Sequence, residues 1–324
     1  MFTLRLITIL SAILALFACS EPVPEPAKQT TAKTTAVEKA TSQNATSITT
    51  KATAEPQSDI QKALSNAPVI TNLSASHPNT LPTPNINDLD NSPESDLIRY
   101  GRLLVIDTYR QLPENVNNKL NCSSCHLNEG RVANAAPYVG MNVVYPKFRS
   151  RNAKINTIED RINGCFQRSM NGQPLITDST QMQAMVSYMN FLSQDIKTKD
   201  DLKSNNGFIA INKDLEPNTE NGKTLYAQHC ASCHQMDAKG LYPSGTYMFP
   251  AVAGDNSFND GAGMARTYTA AAFIKGNMPL GQEGILTDQE AVDIAFYFSH
   301  LARPAFAAKA NDWPEGGAPK DVRR

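Results

Sequence analysis

Two five-residue runs, Cys122-Ser123-Ser124-Cys125-His126 and Cys230-Ala231-Ser232-Cys233-His234, decide how this chain folds. Both read C-x-x-C-H, the attachment signature of c-type haem. Two thiols about one helical turn apart can form thioethers with the two vinyl groups of one porphyrin. The histidine beside them offers an imidazole nitrogen to the iron. Zinc could use the same residue types, but compact zinc modules keep their ligand doublets within ~12–20 residues of each other, and these two runs lie far beyond that reach. A redox C-x-x-C of the thioredoxin kind calls for a βαβ context, and no such alternation surrounds either run.

Helical periodicity flanks both runs. From Asp96 to Gln111, Leu97, Tyr100, Leu103 and Leu104 recur at three- and four-residue steps. Thr177 to Asp195 carries Met182, Met185, Val186, Met189 and Leu192 on one stripe and opens on the cap Asp178-Ser179-Thr180-Gln181. A third helix opens near Glu220 and runs into Cys230. The last, Thr287 to Leu301, begins with the capping box Thr287-Asp288-Gln289-Glu290 and turns Ala291, Ile294, Ala295 and Phe298 inward. The order of helix, cysteine pair, irregular chain and amphipathic helix therefore occurs twice, with little β periodicity. The expected class is all-α, with two haem domains in tandem, 91–200 and 201–310, parted by the polar stretch Lys197 to Asn206. Both halves resemble class I cytochrome c domains, in which the haem supplies much of the core.

The remaining segments set the context. The chain has 324 residues, with Lys+Arg 30 against Asp+Glu 31, so the whole-chain basic footprint of a nucleic-acid binder is missing. Arg5 precedes the uncharged run Leu6 to Ala18, which is shorter than the ~20 residues of a spanning helix and fits the apolar region of a secretory signal. Leu16-Phe17-Ala18-Cys19 resembles the lipobox of bacterial lipoproteins. Residues 1–18 are thus expected to be a signal peptide, and Cys19 a lipid anchor on the periplasmic side, with Ser20 compatible with the outer membrane. The competing reading is an ordinary cleaved signal with an incidental cysteine. Residues 19–90 are rich in Thr, Ala, Ser and Pro, without an aromatic between Phe17 and Tyr100. That composition predicts a disordered tether containing His77. Residues 311–324 read as a tail.

The second axial ligands follow from what remains. Lys275-Gly276-Asn277-Met278-Pro279-Leu280 lies between His234 and the last helix. Met278 is the candidate there, because a thioether sulfur raises the iron potential as electron transfer requires; Met248 and Met264 are its rivals. For the first haem, Met170, Met182, Met185 and Met189 are available, the last three on a core-facing stripe. Cys165 is left over once Cys19 and the four haem cysteines are assigned. It is an inert buried thiol, an intermolecular bridge or a reactive group. Between Tyr145 and Gly172 stand Lys147, Arg149, Arg151, Lys154, Arg161 and Arg168, against Glu159 and Asp160 alone. Thr157-Ile158-Glu159-Asp160 reads as a helix start, and four-residue steps then put Arg161, Cys165 and Ser169 on one face. Nearby cations favour the thiolate. The cluster reads as an activated cysteine in an anion-binding site, or as a solvated basic face with an incidental cysteine.

The run Arg161-Ile162-Asn163-Gly164-Cys165-Phe166-Gln167-Arg168-Ser169-Met170-Asn171-Gly172, downstream of Cys122 to His126 and Asn134-Ala135-Ala136-Pro137, closely resembles the dihaem thiosulfate dehydrogenases, or tetrathionate synthases. The likeness spans about 95–305. It implies two covalently bound haem c groups, the catalytic one held by His126 and Cys165. It also implies active-site roles for Arg151, Arg161 and Ser169, and a second haem held by His234 and Met278. The implied reaction couples two thiosulfates reversibly to tetrathionate. Electrons go to an external acceptor such as a small cytochrome c or another periplasmic redox protein. Some members carry a lysine just before the methionine and switch ligands; Asn277 stands there here, leaving Lys275 as the nearest lysine. The alternatives are a sulfur-oxidation cytochrome of the SoxA kind and a lipid-anchored dihaem carrier without chemistry of its own. No nucleic acid is expected as partner, and no membrane contact beyond the Cys19 anchor.

Overall fold

The computed structural model describes residues 54–202, 207–243 and 248–323. The expected signal peptide, Cys19 and the first part of the expected tether lie outside these. The longer helices are α1 (Ala54–Ser65), α2 (Pro93–Ile106), α3 (Ile158–Arg168), α4 (Thr180–Leu192), α5 (Thr219–His229), α6 (Thr267–Asn277) and α7 (Asp288–Ser299). A short antiparallel hairpin pairs β1 (Lys147–Arg149) with β2 (Lys154–Asn156), Phe148 opposite Ile155. None of the described helices is long and apolar enough to cross a membrane.

Each half is built on one close helix crossing. Ser92 caps α2 by accepting from the Ser95 N–H, with Pro93 at its first turn. The helix buries Tyr100, Leu103 and Leu104 against Met182, Met185 and Met189 of α4. Gly101 sits at the crossing, where a Cβ would run into the Ala184 carbonyl. The second half repeats this. α5 crosses α7 at Gly222, where a Cβ would strike the Asp293 carbonyl. The capping box at Thr287 and Glu290 forms as the sequence predicts. Cores of both halves belong to one apolar cluster, and amides stitch the halves together. Asn118 Nδ2 donates to the Ser169 and Ser257 carbonyls at 2.8 and 3.0 Å, and Asn277 Nδ2 to the Asn134 carbonyl at 3.0 Å.

The all-α class holds, with three local departures. α6 gave no amphipathic signal because it is buried nearly all round, through Tyr268, Ala270, Ala271, Ala272, Phe273 and Ile274. The hairpin strands are three residues each, too short to display a period. The third departure corrects the tether. From residue 57 the side chains pack against the fold. Ile60 is buried on α1, the Gln57 and Gln61 amides reach Asp96, and Leu81 N–H donates to the Arg131 carbonyl at 2.7 Å. His77, expected in the tether, is only 4% exposed. Average composition hid a few well-spaced apolar residues, Ile60, Leu64, Leu81, Ile86 and Leu89. These add to a core that others already form. The tail also packs: Asp321 accepts from the Tyr268 N–H at 2.8 Å.

Candidate active site

Both attachment motifs follow a helix or helical turn and present their residues to a cavity. Cys122, Cys125 and His126 line the first; Cys230, Cys233 and His234 line the second. His126 Nδ1 lies 2.6 Å from the Ala136 carbonyl and His234 Nδ1 lies 2.8 Å from the Pro250 carbonyl. A carbonyl can only accept, which assigns the proton to Nδ1 and leaves Nε2 as the free donor of an electron pair in each case. Tyr138 stacks on the His126 ring at 4.5 Å between centroids. The donor set therefore fits haem c at both places: two sulfurs and one oriented imidazole per cavity. Leu120, Asn121 and Cys125 wall both cavities, so the two sites adjoin.

The second cavity carries Met278 as well as His234, Met278 standing at the C-terminal end of α6, with Met248 and Met264 also in its wall. Lys275 is ion-paired with Asp288, and Asn277 is fully buried with its Nδ2 donating to the Asn134 and Phe273 carbonyls. His229, adjacent to the motif, also lines this cavity. His300 caps the exposed end of α7, its Nδ1 2.7 Å from the Phe296 carbonyl.

The first cavity holds the unpaired cysteine. The Thr157–Asp160 capping box starts α3, and the helix delivers Cys165 half-buried, with Ser169 just past its end and also in the wall. Arg161 Nη1 donates to Cys165 Sγ at 2.8 Å, and His126 lines the same cavity. Burial alone would raise this thiol, but the Arg161 guanidinium beside it is the main influence that outweighs burial and holds Cys165 down at about 6. The motif sulfurs lie in the opposite kind of environment. As free thiols, before haem is attached, Cys122 is pushed by burial up to about 11, and Cys125 and Cys230 up to about 12. Met170, Met185 and Met189 contribute apolar wall to the first cavity, and Met182 is wholly core.

The structure brings His126, Arg161, Cys165 and Ser169 together, but not Arg151. Arg151 Nε lies 2.8 Å from Asp312 Oδ2 and Nη2 lies 2.6 Å from the Gly261 carbonyl, with the guanidinium 4.9 Å from the Trp313 ring. Arg168 Nη2 takes the other Asp312 oxygen at 2.7 Å. Position counting works along one helix. Arg151 sits beyond it, at the tip of the β1–β2 hairpin, where the fold turns it toward the tail. Lys147, Arg149, Tyr138 and Tyr145 line the cavity as well. The two cations had a signal in the basic cluster; the tyrosines and Asp312 had none.

Residues 112–198 match the SoxA/TsdA cytochrome c domain and residues 219–302 match cytochrome c. The chain is 54% identical over 247 residues to the thiosulfate dehydrogenase of Psychrobacter arcticus, covering 75% of each. It is 40% identical over 225 residues to that of Stutzerimonas stutzeri, covering 68% of this chain and 72% of the relative. Among solved structures it resembles the as-isolated thiosulfate dehydrogenase TsdBA of Marichromatium purpuratum, at 35% identity and a TM-score of 0.65. That match covers 71% of this chain and spans about half, 51%, of the solved one. Two cytochrome c domains, each with a complete attachment motif, make this a protein with two covalently bound haem c groups. The chain belongs to the thiosulfate dehydrogenase family of dihaem cytochromes c.

Proposed function

We propose that this protein is a thiosulfate dehydrogenase that joins two thiosulfates into one tetrathionate with release of two electrons, a reaction that can also run in reverse. The observation that carries the reading is Cys165. Its sulfur accepts a hydrogen bond from Arg161 inside a cavity that one haem motif opens onto, where a neighbouring guanidinium favours the thiolate. In this reading His126 and Cys165 hold the catalytic haem, and His234 and Met278 hold the second.

The haem groups, when bound, supply one-electron redox chemistry. The protein's own residues do the rest. Thiosulfate is a dianion, and bringing two together at low dielectric is prohibitive without cations. Arg161 offsets part of that repulsion. The Cys165 thiolate bonds to the outer sulfur of one thiosulfate as two electrons leave for the acceptor, giving a cysteine S-thiosulfonate. The second thiosulfate attacks that outer sulfur, breaks its bond to Cys165 and departs as tetrathionate, restoring the thiolate. In this reading Ser169, which lines the same cavity, donates a hydrogen bond to a sulfonate oxygen. The electrons pass to a small cytochrome c or a similar periplasmic redox protein, and Cys19 anchors the chain by lipid to the outer membrane.

Electron paramagnetic resonance of the oxidised holoprotein, with assays in both directions, tests this. One His/thiolate and one His/Met low-spin signal together with thiosulfate turnover are expected. Two His/Met signals would leave only an electron carrier. A His/thiolate signal without turnover by the isolated chain would favour a SoxA-type subunit that needs a partner.

A further inference from the structure

We propose that Arg149 is a second cationic contact for the anionic substrate beside Cys165, aimed there by Tyr145 and by the anchored tip of the β1–β2 hairpin. The inference rests on the thiosulfate reading and deepens it. Arg161 alone faces a difficulty of charge. Its guanidinium already donates to the Cys165 sulfur, so it cannot by itself offset two incoming dianions as well.

The cavity wall supplies another guanidinium. Arg149 is half-buried in it, and its Nη1 donates to the Tyr145 hydroxyl at 3.1 Å. Tyr145 is buried and lines the same cavity wall as Arg161. Two bonded pairs, Arg149 with Tyr145 and Arg161 with Cys165, thus line one cavity. Among the described residues Arg149 has no carboxylate partner, whereas Arg151 and Arg168, its neighbours in the basic cluster, share Asp312. A half-buried guanidinium that faces a cavity with most of its five donors unspent is suited to an anion with several oxygens. Lys147 lines the same wall but is exposed, and adds charge more than geometry.

Arg151 acquires a role from this arrangement. It occupies the loop between β1 and β2, two residues beyond Arg149, and is fixed by Asp312, by the Gly261 carbonyl and by the Trp313 N–H, which donates to the Arg151 carbonyl at 2.7 Å. Arg151 is therefore a positioning residue that pins the hairpin so that Arg149 reaches the sulfur site.

A haem site contains another anion, the porphyrin propionates, and the test separates the two. Arg149→Gln and Arg149→Lys are made in the holoprotein and compared with the unsubstituted chain. KM and kcat for thiosulfate are measured together with the potential and resonance signal of the catalytic haem. For Arg149→Gln we expect KM to rise roughly ten- to hundredfold, as for a lost hydrogen bond to a charged group. Arg149→Lys should restore part of this, with kcat within about threefold and the haem potential and His/thiolate signal unchanged. An unchanged KM overturns the inference while leaving thiosulfate turnover standing. So does a shifted haem potential at constant KM, which would make Arg149 a propionate anchor. Absence of turnover in the unsubstituted chain would overturn the thiosulfate reading and this inference with it.

Discussion

Arg161 and Cys165 stand one turn apart on α3, with the guanidinium Nη1 2.8 Å from the sulfur. No attachment residue takes part in this pair, so the sulfur can be removed without touching the haem-binding cysteines. Cys165→Gly and Cys165→Met are expected to retain both haems, seen by haem staining and the absorption spectrum, and to lose thiosulfate turnover. The His/thiolate resonance should vanish in both. Turnover that survives in either variant would sink the role of this cysteine.

Asp312 bridges Arg151 and Arg168 while only 5% of its side chain is exposed. Removing one partner of such a pair strands the other charges, at a cost of about 3 kcal/mol. Asp312→Asn should lower the stability of the holoprotein by about that much in denaturant unfolding. Combined with Arg151→Gln, it should cost clearly less than the two losses added together, because both substitutions break one cluster. Strict additivity would show that the tail and the hairpin tip are independent.

His77 is a buried histidine that joins the N-terminal segment to the loop after Met278. Its Nδ1 accepts from the Asn79 N–H at 3.2 Å, so the proton resides on Nε2, 3.6 Å from Glu283. Burial lowers its pKa from 6.5 and outweighs Glu283, which pulls the other way. The folded state thus binds fewer protons at this site than the unfolded chain. The contribution is whole above the unfolded value and is lost as pH falls below it toward the lowered folded value. Between about pH 7 and pH 5, the melting temperature of the holoprotein should fall further than that of His77→Asn, which keeps an acceptor for the Asn79 N–H. Parallel melting curves across that range would refute it.

What the sequence revealed and what it hid divide along a physical line. The C-x-x-C-H runs, the Thr287 capping box and the Arg161–Cys165–Ser169 face depend on spacing within one local element, and all are legible from residue counts. Arg151 against Asp312, Asn118 between Ser169 and Ser257, and His77 against Glu283 join distant parts of the chain. No local pattern announces those pairs. α6 escaped notice for a different reason: burial on every side erases the polar stripe that marks a surface helix. The segment from residue 54 to 90 was concealed by averaging, since its few apolar anchors are diluted by Thr, Ser and Pro.

The matching crossings at Gly101 and Gly222 carry a consequence for how reactivity is housed. The two halves are one frame used twice. What distinguishes the first is the stretch from Tyr145 to Ser169, hairpin plus α3, which bears Arg149, Arg161, Cys165 and Ser169. Between His234 and Gly263 the described residues of the second half contain no helix or hairpin of that kind. On the proposed function, chemistry is a cassette slotted into a carrier scaffold. Grafting those residues onto a plain cytochrome is the natural route to building a sulfur-coupling catalyst from a protein that only relays charge.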